Sequence, residues 1–213
     1  MRGLVLTLSA LLISIGSAKA EWKYYACPSD NFASKFPGVP KQETTKFALP
    51  RHGDALSARS YSVVDDNIIY RLTVADYFDR REDGASILEE AMFQHTDTDD
   101  HGLKKGRIVA NDSARIEPVP RGATYGRRIT IDLPNNGGRN LTNFYFRNGK
   151  LYEQSAIITP ANGDNINPDA SRFVESLMFN LTRMEEEAGG VPPNIPGCGT
   201  AIQPFEFKPQ VRR

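Results

Sequence analysis

Only three histidines and two cysteines occur among the 213 residues, and the charge has no dominant sign, since 26 basic side chains are balanced by 26 acidic ones. A zero net charge argues against a protein that neutralises a polyanion, and nucleic-acid binding would need a net basic field. Histidines 52, 95 and 101 are the only imidazole bases, and no Gly-x-Ser-x-Gly elbow is present, which argues against a serine hydrolase. Phosphate-cradling glycine patterns are absent too. Gly137-Gly138 lies in a polar turn with no helix start after it, so no helix dipole is available for a nucleotide. There is no hydrophobic run long enough to span a bilayer, which takes roughly 20 residues, and no repeat or low-complexity block. What is there, 39% hydrophobic and 24% charged residues, is the composition of an ordinary globular domain.

The first twenty residues have the form of a secretory signal. Met1-Arg2 precedes an apolar run from Leu4 to Ile15, broken by Thr7, Ser9 and Ser14, and the small residues of Ser17-Ala18-Lys19-Ala20 follow. Cleavage after Ala20 would leave 24 basic against 26 acidic residues in a chain starting at Glu21. A lipoprotein would carry cysteine at that position, whereas Cys27 lies further on, so the expectation is a periplasmic or secreted protein without a stable membrane anchor. In an oxidising compartment Cys27 and Cys198 are expected to form one disulfide joining the two ends, with two free buried thiols or a nucleophilic cysteine as the alternatives.

In the middle of the chain, Ile68, Tyr70, Leu72 and Val74 alternate with Ile69, Arg71, Thr73 and Ala75, a period of two that predicts a strand. Asp65-Asp66-Asn67 joins it to Ala58 to Val64 as a hairpin. A second hairpin is predicted from Leu141 to Ile158, because Asn148-Gly149 supplies the positive φ angles of a type I′ turn. Ile129, Ile131 and Leu133 mark a further half-buried strand. One helix is predicted from about Ala85 to His95, with Leu88, Ala91, Met92 and His95 on the apolar stripe and Glu89, Glu90 and Gln94 away from it. A second starts at Asn167-Pro168 and places Ala170, Phe173, Val174, Leu177, Met178 and Leu181 on one face. Apolar stripes and half-apolar strands predict an α+β domain over residues 21–187, an antiparallel sheet flanked by helices, followed by a Gly/Pro-rich tail at 188–213 that the disulfide ties back.

The run Phe32 to Pro40, Arg59-Ser60-Tyr61, Tyr70 to Tyr77, Arg147 to Tyr152 and Arg172 to Leu177 resemble small exported bacterial domains of the PsbP-like type, over about residues 31–181. The resemblance implies an α/β/α sandwich around an antiparallel sheet. Members of that fold group include an extrinsic photosystem II subunit, a nuclear-import factor and secretion chaperones, so it also implies binding to another protein rather than catalysis.

Two regions carry candidate chemistry. His95-Thr96-Asp97-Thr98-Asp99-Asp100-His101 concentrates imidazoles and carboxylates, and His95, Asp99 and His101 define the alternative reading, a periplasmic hydrolase or metal-dependent enzyme. A calcium loop is ruled out there, since position five falls on His101 and position twelve on Ile108. The connection after the long strand carries Tyr77, Phe78, Arg80 and Arg81, residue types that often dominate binding energy, and Tyr77, Arg80 and Arg81 form the candidate partner surface. The expectation is therefore a non-catalytic binding or accessory protein of the bacterial cell envelope, without cofactor or bound metal, whose partner is an envelope protein that the sequence does not identify.

Overall fold

A computed structural model describes residues 21–48, 55–78, 83–95, 106–116, 124–160, 167–179 and 189–199. The signal segment, Arg80, Arg81, Asp99 and His101 lie outside them. In chain order the described elements are β1 (Lys23–Cys27), β2 (Phe32–Phe36), β3 (Lys41–Ala48), β4 (Ala55–Asp65), β5 (Ile68–Asp76), α1 (Gly84–Phe93), β6 (Arg107–Ile116), β7 (Thr124–Asp132), β8 (Arg139–Arg147), β9 (Lys150–Ile158) and α2 (Pro168–Val174).

Seven strands form one antiparallel sheet in the order β3-β4-β5-β9-β8-β7-β6, and β1 pairs with β2 in a separate two-stranded hairpin. Both predicted hairpins form. Asp66 at φ 52° turns β4 into β5, and Asn148 at φ 51° with Gly149 at φ 71° makes the tight turn from β8 to β9.

The expected helix-flanked sandwich is corrected by the structure: the chain is mostly β, and only two short helices stand among the described residues. On one face of the sheet Tyr61, Tyr70, Leu72, Val74 and Tyr152 pack with Tyr25, Phe32 and Phe36 of the small hairpin and Phe173 of α2. Aromatic strand residues thus cover much of what a long helix was expected to cover. On the other face α1 lies over β7 and β8, with Ile87 and Ala91 against Ile129, Ile131, Phe144 and Leu151. Glu90 is buried with Ile87 and Ala91, so the stripe of α1 is rotated from the predicted one, and His95 lies past the helix end.

The second helix stops at Val174 rather than continuing to Leu181, which lies outside the described residues. The reason lies in the sheet beneath it. Gln154 Nε2 donates to the Phe173 carbonyl at 2.6 Å and Asn143 Nδ2 to the Val174 carbonyl at 2.7 Å, so buried side chains take the carbonyls that end a helix. The chain then extends, and Met178 pairs with Ala33 of β2 through two backbone hydrogen bonds of 2.8 and 2.9 Å.

Candidate functional site

The expected Cys27–Cys198 disulfide is present, joining residues 171 positions apart. Beside it the 3-10 turn Pro28–Asp30 delivers Asp30, only 2% exposed, onto the sheet. Its carboxylate accepts from Arg59 Nε and Nη2 at 2.6 and 2.8 Å, from the Tyr61 hydroxyl at 2.6 Å and from Lys150 Nζ at 2.6 Å. Arg59 also donates to both oxygens of Asp76, at 2.7 and 2.9 Å, while the Tyr152 hydroxyl donates to the Asp30 carbonyl at 2.8 Å. Burial opposes ionisation of Asp30, but the hydrogen bonds from Arg59, Lys150 and Tyr61 outweigh it and hold the carboxyl below the usual carboxylate range. Burial, with the bond to Asp30, pushes the Tyr61 phenol well up. Two carboxylates and two cations balance, and each Asp30 carboxylate oxygen accepts from two donors. This cluster is a clasp that ties the disulfide-linked hairpin to β4, β5 and β9.

A different polar region lies on the opposite face of the sheet. α1 covers β7 and β8, and on the same face no described helix covers β3, β4 and β5. There the strand register aligns a row of side chains across the sheet: Glu43 opposite Ser60, Ser60 opposite Thr73, and Thr73 opposite Glu153. The row spans three strand spacings, about 14 Å. One residue pair further along, Ser62 and Arg71 stand opposite each other. These residues line a groove of about 410 Å³, walled at one end by Gln94 just past α1. Of its carboxylates, Glu43 is paired with Lys41 at 2.6 Å and Glu153 accepts from His95 Nε2 at 3.1 Å.

The sequence-predicted residues are therefore dispersed. His95 does not line the groove but holds one of its residues, its Nε2 on Glu153 and its ring centroid 5.6 Å from that of Phe144, and Asp99 and His101 lie outside the described residues. No group of three or more His, Cys, Asp or Glu able to hold a metal occurs among the described residues. Tyr77 is 2% exposed and packs edge-on against Phe146, so it is part of the core under α1 rather than of a partner surface. Its neighbour Phe78 is the exposed aromatic of that connection, resting on Gly149. No described helix is long and apolar enough to cross a membrane. With the disulfide, this is compatible with an extracellular or periplasmic location.

No protein-family model matches the chain, and no curated protein matches it.

Proposed function

We propose that this is an exported, non-catalytic binding protein, periplasmic or secreted, and that the groove over β3, β4, β5 and β9 is its ligand surface. The observation that carries this reading is the groove itself. No described helix covers the sheet face over β3, β4 and β5, and the groove there is lined with hydroxyl, amide and charged groups aligned by register. Export is supported by the disulfide and by the signal pattern of the first twenty residues. A binding role is supported by a lining rich in hydroxyl and amide groups, with Glu43 held by Lys41.

Site-specific photo-cross-linking tests it. A photoreactive residue at Ser62 should form a discrete adduct in the exported fraction, and the same residue at exposed Asp112 on β6 should not. Equal labelling at the two positions, or none at Ser62, would overturn the assignment of the groove.

A further inference from the structure

The charges around the groove are unequally satisfied. Glu43 has Lys41 and Glu153 has His95, whereas Arg71, which lines the groove and acts on Glu43 only through its charge, makes no hydrogen bond or close ion pair with a described residue. It stands on β5 between Ser62 of β4 and Ser155 of β9. Its nearest lining groups, Ser60, Ser62 and Thr73, bear hydroxyls that can donate or accept. At the helix end, Gln94 Nε2 is buried and finds no acceptor among the described residues. The groove therefore offers two donors not hydrogen-bonded to described residues, Gln94 Nε2 and the Arg71 guanidinium, whose planar fork matches a carboxylate with two parallel hydrogen bonds.

Geometry narrows the source of that carboxylate. From Arg71 on β5 to the sheet edge at β3 is two strand spacings, about 10 Å, the length of three extended residues. Directly across from Arg71 on that path lie Ser62 and, at the edge, Lys41, with Ser60 and Glu43 one residue pair to the side. β3 is the outermost strand, with Lys41, Glu43, Thr44, Thr45 and Lys46 all exposed, so a chain can leave the groove over it. Taking the groove as the ligand surface argued above, we propose that it binds the C-terminal end of an extended peptide, with the terminal carboxylate on Arg71 and the preceding residues running outward across β4 and β3.

The test is a backbone-amide NMR titration of the protein lacking residues 1–20 with acetyl-Ala-Ala-Ala as the free acid and as its carboxamide. The free acid should give saturable shifts at residues 60–62 and 71–73. Affinity should fall at least about tenfold for the carboxamide, and equally for the free acid with Arg71→Gln, the loss corresponding to one charge-assisted pair. Arg127→Gln, on the same face outside the groove, should bind as the wild type does. Arg71 is exposed, so Arg71→Gln should keep the wild-type melting temperature. Carboxamide binding as tight as the acid, or unchanged affinity in Arg71→Gln, overturns the proposal. Succinate or inorganic phosphate binding as tightly as the peptide assigns the groove to a small anion and also overturns it. If no probe binds while the Ser62 photoadduct still forms, the carboxylate is refuted and the groove stands; if the adduct is also missing, both fall.

Discussion

Arg59 holds Asp30 and Asp76 at once, through two-point hydrogen bonds of 2.6 and 2.8 Å to the first and 2.7 and 2.9 Å to the second. Asp30 comes from the turn after β1, Asp76 from the end of β5, and the guanidinium between them fixes the small hairpin to the large sheet. Asp30→Asn would leave Arg59 and Lys150 facing a neutral amide in a closed site. Removing one partner of a buried pair costs about 3–5 kcal/mol, and retention of Asp76 by Arg59 places the expected loss near the lower end. Urea unfolding of the two proteins measures it, and a loss below about 1 kcal/mol would show that the clasp is dispensable.

The same carboxylate sets an acid dependence. Its proton is bound less readily in the folded than in the unfolded state, so its contribution is complete above about pH 4 and disappears as the pH falls through the folded value. The wild type should therefore lose stability more steeply than Asp30→Asn below pH 4. At the alkaline end the sign reverses. Burial raises the phenols of Tyr61 and Tyr152, so their contribution is complete below about pH 10 and declines above it. Unfolding curves collected from pH 2 to 11 check both limbs.

Replacing both Cys27 and Cys198 by serine, or reducing the bridge, should lower stability by up to about 5 kcal/mol, the chain-entropy value for so long a loop. Alkylation followed by mass measurement should find no reactive thiol before reduction and two after it.

Gln154→Leu tests the side-chain cap on α2. The substitution keeps volume but removes the donor at 2.6 Å from the Phe173 carbonyl, leaving the Ser176 hydroxyl at 2.7 Å as its remaining side-chain donor. A cost of about 1–3 kcal/mol is expected, with faster amide hydrogen exchange confined to α2 and residues 175–178. Unchanged exchange there would mean that the helix ends for another reason.

Legibility in the sequence followed the environment of each strand. β5 was readable because Ile68, Tyr70, Leu72 and Val74 face one core, and β8–β9 because Asn148-Gly149 marks the turn. β1 and β2 are buried on nearly every residue and β3 is exposed on nearly every residue, so none of them alternates. The start of α2 was legible in its cap, since Asn167 accepts from the Asp169 amide, whereas α1 was read from its apolar period and its cap, Asp83 on the Ala85 and Ser86 amides, shows only in the structure. The end of α2 was not legible, because it is imposed by Gln154 and Asn143 from distant strands. The groove was hidden for a related reason: Glu43, Ser60, Thr73 and Glu153 become neighbours only through the register of four strands. Asp76 did carry a signal, a charge continuing the face of Tyr70, Leu72 and Val74, which marks a site where an apolar face must supply a charge with a partner.

Ala26 donates to the Pro193 carbonyl at 3.0 Å and accepts from the Ile195 amide at 2.9 Å, while its neighbour Cys27 is bonded to Cys198. One of the first strands to be synthesised is thus completed by one of the last described segments. Until that segment arrives, the outer edge of β1 is an unpaired strand edge, the kind of surface on which chains join one another. During biogenesis the N-terminal hairpin therefore waits with one edge uncovered, and a truncation before Pro193 is expected to yield a protein that keeps its seven-stranded sheet yet is prone to aggregate through β1.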